Sequence, residues 1–275
     1  MSNALRTPGN LYATLCLVNI IEAQGVTKTY TIDAREIHVL DDITVNVPEG
    51  EFLVIEGSSG SGKSTLLSLL SGLDHPTSGH IFVDSTDITH KTEDELAPMR
   101  NQTIGFVFQS FHLVPSLTAL ENITFPAELA QVSNAQDRAE ALLKRVGLMK
   151  RATNFPHQLS GGEKQRVAIC RALINNPKII FADEPTGNLD SKNGEAILEL
   201  MLELHAERQT TLIMVTHSAE IAQRAERVIT LQDGRIVQER VPTLRSENGT
   251  RMNTDGTDQK RSGRSIIVNP TSQSL

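Results

Sequence analysis

Long apolar runs, paired cysteines and blocks of basic residues are all missing from this chain of 275 residues. The longest apolar stretch, Leu11 to Ile21, is broken by Thr14 and Asn19. It falls short of the roughly 18 residues that a membrane span needs, so any membrane role requires partner chains. The stretch follows Arg6 but runs on as VNIIEA without a small-residue cleavage site, which favours a buried first strand over a secretory signal. Cys16 and Cys170 lie far apart with no CxxC spacing, which excludes a disulfide framework and a cysteine zinc site and fits a reducing cytoplasm. The formal net charge is -7. With no Lys/Arg block to offset it, this charge opposes the phosphate attraction on which DNA and RNA binders rely, so polymeric nucleic acid is not an expected partner.

At 39% hydrophobic residues the chain can bury a sizeable core. Short apolar runs recur as FLVIE (52–56), IGFVF (104–108), KIIFA (178–182) and TLIMV (211–215). Such runs suit parallel strands covered on both faces. Between them lie helical stripes, one through Ile197, Leu200, Met201 and Leu204, another through Ala139, Leu142, Leu143 and Val146. Strand alternates with helix, so the class is α/β. Ser133 and Gln136 have capping-box spacing before the second stripe, and Gly147 is placed to end it. A mostly helical stretch, about 95–165, is expected to be inserted between two strands. Asp233-Gly234 between RVITL and RIVQER predicts a hairpin. Residues 242–275 are rich in Ser, Thr, Asn, Gly and mixed charge, and they read as a disordered polar tail.

Strand FLVIE is followed by GSSGSGKS and then by an apolar helix start, the context in which GxxxxGK[ST] carries meaning. Gly57, Gly60 and Gly62 allow the backbone to approach phosphate oxygens, with Ser58, Ser59, Ser61 and Thr65 completing the cradle. Lys63 can reach the outer phosphates, and the Ser64 hydroxyl can ligate Mg2+. The expected ligand is a nucleoside triphosphate. Asp183 and Glu184 stand where KIIFADE leaves its strand, 126 residues after Gly57. Strand carboxyl ends face the ligand crevice in an open parallel sheet. Asp183 is therefore expected to hold Mg2+ and Glu184 to orient and deprotonate the attacking water.

A third element, LSGGEKQR at 159–166, precedes a helix expected from about Glu163 to Asn175. With it, residues 19–241 resemble the ATPase subunits of ABC transporters, outside an N-terminal extension over 1–18. The resemblance implies an antiparallel β subdomain, a P-loop core similar to that of recombinases and the inserted helical subdomain. It implies that Ser160, Gly161 and Gly162 of one copy close on the ATP held by a second copy, in a head-to-tail dimer. It assigns Gln109 to sensing Mg2+ and the γ-phosphate, Asp190 to communication across the dimer, His217 to the γ-phosphate and Tyr30 to stacking on adenine. FVFQSFHLVPSLTALENI, Glu163 and EPTGNLD look like the lipoprotein-release and macrolide-export branch. The implied cofactors are ATP and Mg2+, and the implied partners are integral membrane permease subunits at the cytoplasmic face of the inner membrane. A non-transporting mechanical complex of the cell-division type would use the same motor. DNA- and ribosome-acting relatives fit less well, because the chain has one P-loop and no room for long coiled coils.

Overall fold

Two kinds of strand pattern divide this chain into two sheets. The structure is a computed structural model that describes residues 18–242. Apart from Val18 and Pro242, the extension expected over 1–18 and the tail expected over 242–275 lie outside the described residues, as does most of Leu11 to Ile21.

Strand β1 (Asn19–Ile32) pairs antiparallel with β2 (Arg35–Pro48) and with β4 (Ser78–Val83), and β4 pairs with β5 (Thr86–Asp87). The sheet order is β2-β1-β4-β5. In β2, buried Ile43, Val45 and Val47 alternate with exposed Thr44 and Asn46, so one face is apolar and the other wet.

The apolar runs behave differently. Strands β3 (Phe52–Glu56), β6 (Ile104–Phe108), β7 (Ile179–Asp183), β8 (Thr211–Val215) and β9 (Arg227–Gln232) form a parallel array, and β10 (Arg235–Arg240) adds one antiparallel edge. The order is β10-β9-β3-β8-β7-β6. Successive residues of each run feed opposite cores: Phe52 and Val54 enter one, Leu53 and Ile55 the other, and Leu212 with Met214 face away from Ile213 with Val215. Burial on both faces is why these strands carry no polar alternation. The first core is roofed by α3 (Ala119–Leu129), α4 (Ala135–Arg145), α5 (Gly161–Leu173), α6 (Ser191–Arg208) and α7 (Ala219–Arg224). The second is filled by α1 (Lys63–Leu70), the antiparallel sheet and Leu96 of α2 (Glu93–Thr103). The expected hairpin joins β9 to β10, with Asp233 at φ 49 and Gly234 at φ 76.

Three local expectations are corrected. The stretch 95–165 is not a continuous helical insertion, because α2 packs in the second core and β6 lies within the parallel sheet, so the insertion proper is α3 and α4. Ser133 and Gln136 form no capping box: α4 starts at Ala135 after Asn134, one residue too late, and Gln136 instead donates to Glu140 Oε1 at 3.0 Å. The box needs its Glu or Gln at the third helical position, as Glu121 supplies for Thr118 in α3. Helix α5 starts at Gly161 and ends at Leu173, two residues before the expected bounds at each end, because Ser160 is its N-cap. Gly147 does end α4, at φ 73, with Leu148 N donating to Leu143 O at 2.8 Å.

One glycine fixes how closely α5 lies on the sheet. A Cβ added at Gly105 of β6 would stand 2.4 Å from the Ala172 carbonyl oxygen, a backbone atom with little freedom to withdraw. We expect Gly105→Ala to destabilise the fold by about 1–3 kcal/mol. Urea unfolding checks this: an unchanged midpoint would mean that α5 is not held that close.

Candidate nucleotide site

The carboxyl ends of β3, β7 and β8 open on one cavity of about 360 Å3, lined by Val39, Gly57, Ser59, Gly60, Gly62, Lys63, Ser64, Thr65, Glu184 and His217. The loop from β3 into α1 forms its floor. At Gly57 (φ 153) a Cβ would lie 2.2 Å from the Leu231 carbonyl, whereas at Gly60 (φ 80) it would meet nothing within 4 Å. Gly57 therefore fits the loop against the sheet, and Gly60 keeps a wall of the cavity bare. The loop carries an orphaned buried polar atom, Ser61 Oγ, which has no hydrogen-bond partner among the described residues.

Lys63 opens α1 and is 7% exposed; its Nζ donates to Gly57 O at 2.9 Å and Ser58 O at 2.7 Å. The cationic end is thus held over the loop by neutral acceptors, a charge without a carboxylate ion-pair partner among the described residues, beside the helix N-terminus. Ser64 Oγ donates to Asp183 Oδ1 at 3.4 Å, which links the loop to the end of β7. Burial, with Glu184 next to it, raises the Asp183 pKa despite the opposing pull of the Ser64 hydroxyl and Lys63. A hydroxyl and a half-buried carboxylate facing one another suit a hard cation. Among the described residues no three His, Cys, Asp or Glu side chains converge as a metal cage, so such a cation would share its ligands with bound phosphate.

Glu184 takes a left-handed backbone conformation, φ 44, with its amide donating to Val215 O at 2.9 Å. That uncommon geometry turns its side chain into the cavity, where Oε2 lies 3.1 Å from His217 Nδ1. His217 follows β8 and its side chain is 72% exposed, so it stands at the cavity mouth. Gln109, just past β6, is positioned by Asn188: Asn188 Nδ2 donates to the Gln109 carbonyl at 3.0 Å, and Gln109 Nε2 lies 3.4 Å from Asn188 Oδ1. Gly187 makes room for it, since a Cβ there would come within 2.7 Å of Gln109 Nε2.

Tyr30, near the end of β1, is anchored by its hydroxyl, which donates to Asp74 Oδ2 at 2.7 Å, and Lys28 Nζ lies 4.7 Å from the ring centroid. Burial pushes Asp74 up, but bonds from Lys28, Tyr30 and the His75 amide outweigh it and hold the carboxyl below its usual range. Asp74, Asn188 and Val39 have no role in the sequence reading. Asn188 lies within EPTGNLD.

The remaining expected residues assemble elsewhere. Ser160 accepts from Glu163 N at 3.3 Å while its own amide donates to Glu163 Oε2 at 2.8 Å. Asp190 caps α6, accepting from Asn193 N at 3.1 Å. The two helix starts adjoin, since a Cβ on Gly162 would lie 3.1 Å from Asn193 Oδ1 and one on Gly161 3.3 Å from Leu189. Ser160, Gly161, Gly162 and Asp190 therefore form a separate patch at paired helix N-termini, and none of them lines the P-loop cavity.

Comparison with known proteins gives concordant matches. The family described as ABC transporter matches residues 40–187. An uncharacterized ABC transporter ATP-binding protein of Mycobacterium tuberculosis is 47% identical, over 84% of this chain and 92% of its own length. The lipoprotein-releasing system ATP-binding protein LolD of Idiomarina loihiensis is 46% identical, over 78% of this chain and 95% of its own length. The macrolide export ATP-binding/permease protein MacB of Syntrophobacter fumaroxidans is 46% identical over 81% of this chain, which spans 32% of that longer protein. Among solved structures, the ATP-binding cassette MJ0796 in a dimeric post-hydrolysis state bound to ADP and Pi superposes with a TM-score of 0.76 at 43% identity, over 81% of this chain and 99% of that one.

Proposed function

The chain belongs to the ABC transporter family, in the macrolide-export and lipoprotein-release branch, and on that premise we propose that its ATP hydrolysis drives integral membrane permease subunits. It binds and hydrolyses ATP, and ATP brings two copies together. The observation that carries the proposal is the separation of two anion receptors. The loop cavity is lined by Lys63, Ser64, Glu184 and His217, while the Ser160 patch lies outside it at the start of α5. Two copies placed head to tail unite each loop with the other's patch.

Within each composite site the loop amides and Lys63 grip the outer phosphates, and Tyr30 packs on the adenine. Ser64, Asp183 and Gln109 would hold a Mg2+ ion, which would supply neutralisation of phosphate charge. Glu184 orients a water and takes its proton. His217 donates a ring N–H to a γ-phosphate oxygen, a reading supported by its 3.1 Å contact with Glu184 in the same cavity. Ser160, Gly161 and Gly162 of the other copy present a hydroxyl and helix-start amides to the same phosphate. Asp190, in the same patch, reports closure across the dimer. Catalysis rests on positioning and on charge stabilisation around the γ-phosphate.

No helix among the described residues is long and apolar enough to cross a membrane. We place the ATPase on the cytoplasmic face of the inner membrane, where Gln109 and the helical insertion relay nucleotide state to the permease. Reconstitution with the membrane subunit that retains it on purification tests this: substrate movement or extraction supports transport, and activation of a cell-wall enzyme without it would replace transport by mechanical signalling.

The composite site has its own test. In a hydrolysis-blocked Glu184→Gln background, Ser160→Arg should abolish the ATP-induced dimer in light scattering, while the monomer keeps its ATP affinity within about twofold. A dimer that persists with Ser160→Arg would remove the signature patch from the interface.

A further inference from the structure

Away from the nucleotide cavity, a second cavity of about 290 Å3 opens between α4 and the C-terminal ends of α5 and α6. Arg138, Arg145 and Arg208 share its walls with Leu142, Leu173 and Ile174. Three guanidinium groups around one partly buried space repel each other. Accordingly the Arg208 pKa is lowered, by burial first and then by Arg138 and Arg145.

Of the three, Arg145 alone forms an ion pair among the described residues, with Nη2 at 2.5 Å from Glu207 Oε1 and 3.9 Å from Glu203 Oε2. Arg208 donates to neutral acceptors, Asn176 Oδ1 at 2.9 Å and Leu173 O at 3.4 Å. Arg138 Nη2 is buried with no acceptor at all among the described residues. Arg138 is partly exposed, but its Nη2 is cut off from solvent, and a buried donor left without an acceptor is costly. Here it borders a space large enough for a ligand, and that ligand can supply the missing acceptor.

We propose that this cavity binds an organic phosphate, with its oxygens on Arg138 and Arg208 and its apolar portion against Leu142, Leu173 and Ile174. The planar guanidinium fork matches phosphate oxygens. A phosphate group, as a free ester or a lipid diester, offers oxygens to both guanidinium groups at once. The bound anion ties α4 of the helical insertion to α6 of the core and stabilises the fold by mass action. Its source is either a free phosphate ester or the headgroup of an anionic phospholipid, and the two differ in experiment.

The full chain is first saturated with MgADP, so that phosphate binding at the P-loop does not register. Glycerol 3-phosphate is then titrated while Tm is followed, and in parallel the protein is floated with phosphatidylglycerol or phosphatidylcholine vesicles. A free ester as source gives a saturable rise in Tm, and Arg138→Gln weakens the apparent affinity about tenfold or more, with MgADP affinity unchanged. A lipid as source gives recruitment to phosphatidylglycerol alone, lost in Arg138→Gln. Because Arg138 Nη2 has no protein partner, that variant should match or exceed the wild-type Tm without ligand. Arg208→Gln repeats the test from the opposite wall and carries it if the first variant does not fold. No response to either probe, or equal responses in wild type and both variants, would overturn the site.

Discussion

Glu184→Gln is expected to lower ATP turnover by on the order of 10²–10⁴-fold while leaving ATP binding intact and prolonging the ATP-bound dimer. The substitution keeps side-chain size and an acceptor oxygen, so the contact with His217 Nδ1, now 3.1 Å, can persist. What it removes is a group able to accept a proton from water. The left-handed backbone at residue 184 and the bond from its amide to Val215 O do not depend on the carboxylate, so the cavity should keep its shape. Lys63, Ser64 and the loop amides are untouched, which is why binding should survive. Phosphate release measures the first effect, and light scattering with MgATP measures the second. Turnover close to wild type would take Glu184 out of the chemical step and leave His217 as the candidate to test next.

Lys63→Ala acts on the other half of the cycle. The ammonium is already desolvated, 7% exposed, and satisfied by two neutral carbonyls, Gly57 O and Ser58 O. A triphosphate offers charged acceptors in their place, and charge-assisted bonds of this type contribute about 1.5–3 kcal/mol each. Loss of one or two such bonds predicts an ATP Kd weakened by roughly 10²-fold or more. The variant also removes the donor to the Gly57 and Ser58 carbonyls, where water can take its place because neither residue is buried. Binding by calorimetry is to be paired with circular dichroism. A folded variant with unchanged ATP affinity would contradict the assignment of the loop. Glu184→Gln loses turnover and keeps binding, whereas Lys63→Ala loses both, so the pair separates chemistry from capture.

Much of this site was readable from residue order because its parts are contiguous. Eight consecutive residues, Gly57 to Ser64, contain the glycines, the lysine and the hydroxyl, and an apolar strand and helix flank them. The same holds for the apolar runs, where burial on both faces leaves a signature within five residues. Reading failed where phase or distant packing mattered. Ser133 and Gln136 have the right spacing, but α4 begins one residue too late for them to meet. Nothing near residue 109 announces Asn188, which holds the glutamine from 79 residues away. Arg138, Arg145 and Arg208 are unremarkable as single positions on amphipathic helices, and only the packing of α4 against the ends of α5 and α6 brings them around one cavity.

From its residues alone, then, the chain determined the local chemistry: an amide-lined loop, a carboxylate pair closing a strand, and apolar runs that demand cover on both sides. Backbone preferences and hydrophobic periodicity act over a few residues, so they survive in one dimension. The tertiary structure decided which of these pieces share a space. The strand order β3-β8-β7-β6 sets Ser64 against Asp183 and Glu184 against His217, while it leaves Ser160 and Asp190 on a separate patch. Through-space distance between remote residues depends on that order and on how closely helices approach the sheet. Chain separation carries almost no information about either.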